Sequence, residues 1–459
     1  MKKVSTVQNT VQNSIFWLAV TLIPASHVQA TMSPELNRGE KLVSIAVPNG
    51  KRPEVCVIPA HFPGGKYSAK DLQTEQGLCA LNQFTNTAIC PKTNSTNPGL
   101  IFHLLPDGKS ISEVQQSNCK GSKGEAKYKL STSCSYTPSI VGYYHVSRIL
   151  GGIANVPPSV LRTFDLENHL AYGRRALSLV RRGDIIDQTW RGLISQLSAG
   201  AAGKKKDQLL TDDLDQSYGA LIQSPKKEAF YKEFFNGGAQ NTIRAANFRD
   251  RNASFALVRN PAPASRLVGR QFVADNVQKI VQMKDASDLV ILDTLLSQQD
   301  RFGNIHYFNR YAFFDKTDLT KSGLPSLKFK KDVTPDEAKN AVLVKQMLLK
   351  DNDCGVAKDN IAKGAGLAKV MSHVDPKVYK RLLKLAKVID NAEVKVFFTR
   401  NLMFTATDFT GFRKNLLELA GLLKSKCTSG SLNLDLDIED HFSGQPLKSQ
   451  NCEIVGAEG

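Results

Sequence analysis

The passage from Leu289 to Asn304 constrains the fold more than any other part of this chain. Leu289, Leu292, Leu295 and Leu296 recur at helical spacing and make one apolar face. Asp285 or Ser287 is the predicted cap of this last piece of a helical stretch that begins near residue 270. The helix runs straight into Asp300-Arg301-Phe302-Gly303-Asn304, so it delivers polar side chains onto a short loop, after which Ile305, Tyr307 and Phe308 read as a short strand. An Asp that can orient a hydroxyl, followed within a turn by an Asn that can hold a metal, suits phosphoryl transfer. That chemistry depends on positioning and charge, with little covalent help from the protein.

What lies on either side gives the five residues their weight. Downstream, Val342 to Leu349 reads as an apolar strand that empties into Lys350-Asp351-Asn352-Asp353-Cys354-Gly355. A strand ending in Asp-x-Gly is where phosphoryl-transfer sites grip Mg²⁺ with a carboxylate. Upstream, Gly121-Ser122-Lys123-Gly124 could form a phosphate-covering loop or a plain turn. It precedes Glu125 to Leu130, where Ala126, Tyr128 and Leu130 alternate with charged residues as in a half-buried strand. Thr137-Pro138 then reads as a helix start, with Thr137 as the capping group and Pro138 at the first helical position. Ile140, Val141, Tyr144 and Ile149 follow, and Gly151-Gly152 can end the helix.

The remaining features bound the compartment and the partners. Lys2 and Lys3, the apolar run from Ser14 to Ala25 and the small residues at Val28-Gln29-Ala30 read as a cleaved export signal, too short to span a bilayer comfortably. The mature chain is then expected outside the cytoplasm, periplasmic or extracellular, with no membrane span. Roughly 430 residues remain, enough for a self-sufficient core. Eight cysteines, none in a CxxC, favour disulfides over metal in an exported chain. Cys79 with Cys90 and Cys427 with Cys452 are the predicted short-range pairs. A formal charge of +17 suggests an acidic partner, but export argues against nucleic acid, and the lysines are spread along the chain apart from Lys204-Lys205-Lys206 in a Gly/Ala-rich stretch. Residues 31 to 110 are punctuated by Pro, Gly, Asn and Thr, which predicts strands and long turns without helices. Two or three polar helices are expected between 166 and 260, and a helical region from Asp375 to Cys427.

Three stretches resemble the secretory-pathway kinases, the Golgi casein kinase-like family, and more distantly the phosphatidylinositol-type lipid kinases. They are Tyr144 to Arg162 with its Val156-Pro157-Pro158, Leu289 to Tyr307 with Asp300-Arg301, and Leu348 to Gly355. The resemblance implies an α+β, two-lobed protein-kinase-like fold with a β-rich N-lobe and a mainly helical C-lobe. It implies ATP with Mg²⁺ or Mn²⁺ as cofactors, and a protein or glycan hydroxyl as acceptor. Asp300 would orient or deprotonate that hydroxyl, and Asp353 would ligate metal, with Asp351 as competitor because DNDCG aligns either way. Lys129 would contact the ATP phosphates, with Lys127 as runner-up. Asn304 would hold the second metal, although it stands one residue short of the family spacing.

A second departure is that residues 131 to 164 contain no Asp or Glu, so the helix that supplies a glutamate to the ATP lysine in active kinases cannot do so here. Glu113 and Glu125 are the substitutes in view. The distance from Asn304 to Asp353 implies an insertion at 309 to 340. The predicted organisation is a leader at 1–30, a cysteine-containing β/loop region at 31–110, an N-lobe at 111–200, a C-lobe at 201–430 and a polar tail at 431–459. Two other outcomes stay open: a pseudokinase acting as a binding module, and transfer of AMP from the same pocket. Competing chemistries lack support. Gly108-Lys109-Ser110 has His103 where a P-loop needs glycine, no HExxH or GxSxG occurs, and the eight histidines are scattered.

Overall fold

The computed structural model describes residues 39–202, 209–320, 323–443 and 451–453. The predicted leader, Lys204-Lys205-Lys206 and two stretches of the polar tail, 444–450 and 454–459, lie outside these residues.

The N-terminal half builds one antiparallel sheet. It begins with β1 (Lys41–Ile45) and β2 (Glu54–Ile58), followed by α1 (Ala69–Cys79). Next come β3 (Thr87–Pro91), β4 (Leu100–Leu104), α2 (Ile111–Gln116) and β5 (Gly124–Lys129). After α3 (Thr137–Ile149) the chain forms β6 (Ser159–Asp165), then α4 (Leu166–Leu179) and α5 (Ile185–Ala201), and returns as β7 (Gln216–Gln223). The order across the sheet is β1-β2-β6-β7-β5-β4-β3. From β3 onward this is a three-strand meander, a helix, and two more strands of which the last inserts beside the meander. That arrangement makes the N-lobe of a two-lobed kinase-like fold. Strand pairing runs straight across the expected limits at 110 and 200.

Sequence accounts for most of these elements. In β5, Ala126 and Tyr128 pack with Phe102, Phe164 and Trp190 in a core under α4 and α5, so Lys127 and Lys129 share the opposite face. The helices α1 and α2 contradict the expectation of strands and turns alone. Each starts at a capping box, Ser68 with Asp71 and Ser110 with Glu113, in which the serine and the acid satisfy each other's backbone N–H. In α3 the cap is not Thr137. That residue opens the helix itself, and its N–H donates to Ser131 Oγ at 3.0 Å. Pro138 sits in the first turn, and Gly151 and Gly152 end the helix at φ 110° and 82°. The strand β7 escaped sequence reading because SYGALI is buried on both faces and shows no alternation.

The second lobe follows the two-residue strand β8 (Ala229–Phe230) and the helices α6 (Asn241–Arg251), α7 (Ala253–Arg259) and α8 (Ala264–Leu267). Its axis is α9 (Ala274–Leu296), one continuous helix of 23 residues. Asp285 and Ser287 lie inside it and cap nothing; Asp285 instead accepts the Met347 N–H at 2.8 Å. The strand predicted near Tyr307 is the long β9 (His306–Leu319), which pairs with β8, with β10 (Pro325–Lys330) and with β11 (Val342–Leu348). The expected insertion is thus the outer part of this hairpin, with a single helical turn, α10 (Pro335–Ala338), at its end. The turns α11 (Ile361–Gly364) and α12 (Leu367–Val370) lead to α13 (Pro376–Val388), α14 (Ala392–Val396) and α15 (Ala406–Thr428), which make the expected helical end. The axis α9 packs against α3, α7, α11, α15 and β11, so both lobes meet on it. None of the helices among the described residues is long and apolar enough to cross a membrane.

Four disulfides hold this arrangement: Cys56–Cys79, Cys90–Cys119, Cys134–Cys354 and Cys427–Cys452. The last is the predicted pair. Cys79 does not bond Cys90, because α1 packs on β2 and brings Cys79 beside Cys56.

Candidate active site

The site forms where the end of β5 faces the segment that leaves β11. Lys129 Nζ donates to Asp353 Oδ2 at 2.7 Å and lies 3.9 Å from Asp351 Oδ1. Lys129 and Asp353 are both buried. Burial works against the lysine's charge, and the two carboxylates outweigh it, so its pKa is raised. The sheet is shaped for this contact. A side chain at Gly219 of β7 would run into the Lys129 carbonyl, so only glycine lets the two strands close there.

The acid that partners the lysine therefore comes from the metal-type segment and not from α3. Neither substitute reaches it: Glu113 is spent on the Ser110 capping box, and Glu125 pairs with Lys226 at 2.8 Å. The helix α3 is tied in by other means. Tyr136 N–H donates to the Asp353 carbonyl at 2.8 Å, Ser139 Oγ donates to the Asn352 carbonyl at 2.6 Å, and Cys134 is bonded to Cys354. Gly355 fits because a Cβ there would meet Ser139 Oγ at 2.6 Å and the Leu296 carbonyl at 2.8 Å. The Cys134–Cys354 bridge spans a sequence separation of 220 residues. Replacing both cysteines with serine should lower unfolding free energy by about 2–5 kcal/mol. Urea melts of oxidised wild type and the double variant measure this, and coincident midpoints would refute it.

The loop after α9 is held by Arg301. This guanidinium is 1% exposed and donates Nε to Asp293 Oδ2 at 2.9 Å, Nη1 to the Lys350 carbonyl at 2.8 Å and Nη2 to Asn352 Oδ1 at 2.6 Å. Tyr143 of α3 donates its hydroxyl to the same Asp293 at 2.7 Å. Arg301 thus pairs with Asp293 and links α9, α3 and the DNDCG segment. Burial raises the Asp300 pKa, Arg244, Arg301 and a side-chain hydrogen bond with Asn241 oppose that, and the Asp353 carboxylate adds to it. Asn304 closes a turn by donating its N–H to the Arg301 carbonyl at 2.9 Å. The hydrogen bonds around Lys129, Asp351 and Asp353 do not include it.

Lys127 and Lys129 are both cleft residues, two apart on β5. Burial works against the Asp351 carboxylate, yet Lys129, Lys127, Lys350 and Lys92 outweigh it and hold its pKa well below the ordinary range. Lys350 is itself paired with Glu228, and His306 lies in the same field. Gly121 and Gly124 do not cover this cluster. Gly124 opens β5, whose other end is Lys129, and packs against Ile101 and His103. The hairpin that does cover it is Lys92 to Gly99 between β3 and β4: Asn97 Nδ2 donates to Asp353 Oδ2 at 3.2 Å. Its sequence signal was a loop rich in Asn, Thr, Pro and Gly between two apolar strands, one meander before the lysine strand.

Metal fit follows from the donor set. Among the described residues Asp353 Oδ1 and both Asp351 carboxylate oxygens accept no hydrogen bond, which leaves hard oxygen donors facing the ammonium cluster. Among the described residues no group of three or more His, Cys, Asp or Glu could hold a metal. Mg²⁺ needs no such cage, because it is usually bound through one or two carboxylates plus substrate phosphates.

A lysine on the third strand of the meander thus stands opposite a carboxylate that leaves the last strand of the second lobe, where the two lobes of the fold meet. Two solved structures of a Golgi casein kinase are similar to this chain. One, described with Mn and ADP bound, is 11% identical over 78% of this chain and 76% of its own, with a TM-score of 0.40. The other is 13% identical over 79% and 78%, with a TM-score of 0.39. No family model and no curated protein matches the chain.

Proposed function

We propose that this protein is an exported, metal-dependent phosphotransferase that moves the γ-phosphate of ATP to a hydroxyl of a protein or glycan. The observation that carries the reading is the buried Lys129–Asp353 contact, with open carboxylate oxygens beside it and the Asp353 charge acting on Asp300. Asp353 and Asp351 would hold Mg²⁺ or Mn²⁺ through their free oxygens. The metal, when bound, neutralises charge developing on the transferred phosphoryl group. Lys129 binds and orients the phosphates. Asp300 accepts the acceptor's hydroxyl proton and aligns its oxygen; an Asp with a raised pKa is a better base near neutral pH. Arg301 positions Asp300 through its bonds to Asp293 and Asn352. Four disulfides support work in an oxidising compartment. The acid-free α3 favours a second reading, a pseudokinase that binds nucleotide without turnover.

The experiment incubates purified protein with Mn²⁺ or Mg²⁺ and ATP labelled at either the γ- or the α-phosphate. Transfer of γ-label alone supports the proposal, α-label would mean AMP transfer, and binding without transfer would mean a pseudokinase. Asp300→Asn should lower γ-transfer by about 10²–10⁴-fold. Wild-type rate should fall as pH drops through the raised Asp300 pKa, because only the ionised form accepts a proton. That acid limb should vanish in the variant.

A further inference from the structure

We propose that Lys92, carried on the β3–β4 hairpin, is a second phosphate-contacting lysine of the cleft and helps it select a polyphosphate chain. The inference rests on reading the cleft as a nucleotide site. Lys92 N–H donates to the Gly99 carbonyl at 2.8 Å, and the next pair along β4 and β5 is Leu100 with Tyr128, so Lys92, Gly99 and Lys129 stand in one cross-strand row. Residues directly opposite in antiparallel strands share a face, so both lysines look into the cleft.

Gly99 separates them, and it has to be glycine. A Cβ there would meet the Tyr128 carbonyl at 2.9 Å and Lys129 Cγ at 3.6 Å. With no side chain at Gly99, the strands close tightly and the Lys92 and Lys129 stems flank it on one face, where an anion could reach both.

The hairpin is anchored at both ends of this row. Trp190 Nε1 of α5 donates to the Lys92 carbonyl at 3.3 Å, and Asn97 reaches Asp353. Lys92 itself is half-buried and, unlike Lys129 and Lys350, forms no ion pair and no side-chain hydrogen bond among the described residues. A half-buried ammonium group without a partner is costly unless a ligand supplies the opposite charge. Burial pushes its pKa down to about 8, with Lys129 and Lys127 of β5 adding to the drop and Asp351 and Asp353 opposing it. The charge is present at neutral pH and is lost as pH rises through that value.

The test is calorimetric titration of ATP and of inorganic tripolyphosphate into wild type, Lys92→Met, Lys92→Arg and Lys129→Met, from pH 6.5 to 9. Lys92→Met should weaken both ligands roughly 10- to 100-fold. Lys92→Arg should bind close to wild type, and the part of the alkaline loss of affinity due to Lys92 should disappear in Lys92→Met. Because Lys92 has no ionic partner, Lys92→Met should melt at or above the wild-type temperature, which separates a ligand role from a structural one. If Lys92→Met binds both ligands as tightly as wild type with the same pH dependence, Lys92 is not a contact, while the nucleotide reading stands. If wild type binds tripolyphosphate in a Lys92-dependent way but not ATP, Lys92 stands and the nucleotide reading falls. If wild type binds neither, both fall.

Discussion

Replacing Asp353 with asparagine is expected to reduce phosphotransfer by at least about 10³-fold while leaving the protein folded. The carboxylate does two jobs that an amide cannot do. Its Oδ2 neutralises Lys129 at 2.7 Å and accepts from Asn97, and its Oδ1 is free for a divalent cation. Stripping one member from a buried ion pair usually costs about 3–5 kcal/mol, because a charge is left without compensation. Here Asp351, 3.9 Å from the same ammonium group, still faces it, so the loss should be about 1–3 kcal/mol. Transfer of γ-label and urea midpoints on the same preparation separate the two effects. Activity within tenfold of wild type would remove Asp353 from the metal site.

The largest loss of stability is expected at Asp293, a residue outside the cleft. Asp293 is fully buried, faces a guanidinium that is 1% exposed and accepts the Tyr143 hydroxyl. Asp293→Asn removes the only carboxylate bonded to Arg301 among the described residues and should cost about 3–5 kcal/mol, a large part of an ordinary domain's stability. The double variant Asp293→Asn/Arg301→Met should lose less than the two single changes summed, since neither charge is then left alone. Strict additivity in chemical denaturation would show that the pair is not coupled.

The order of the site was legible in the sequence, but its pairings were not. The alternation in β5 put Lys127 and Lys129 on one face, and the apolar spacing from Leu289 to Leu296 marked the end of the helix that precedes Asp300. The sequence also showed that α3 carries no acid, but could not show what stands in for it, because Asp353 is 224 residues from Lys129. The same holds for Arg301, whose carboxylate partner is Asp293, eight residues earlier and inside α9. Local signals present but unread were the two capping boxes that start α1 and α2. The hairpin from Lys92 to Gly99 was noticed only as turn-rich punctuation, since nothing in its own residues shows that it folds over Asp353.

The Cys134–Cys354 bridge has a further consequence. Kinase-like folds commonly govern their output by swinging the helix after the lysine strand away from the cleft. In this protein Cys134, three residues before that helix, is bonded to Cys354 of the DNDCG segment, and Tyr136 and Ser139 bond the same segment beside the bridge. While the bridge is closed, the swing is not an available degree of freedom. Control then has to act where the cleft can still change shape, at the hairpin that carries Lys92 or in the connection between β7 and β8.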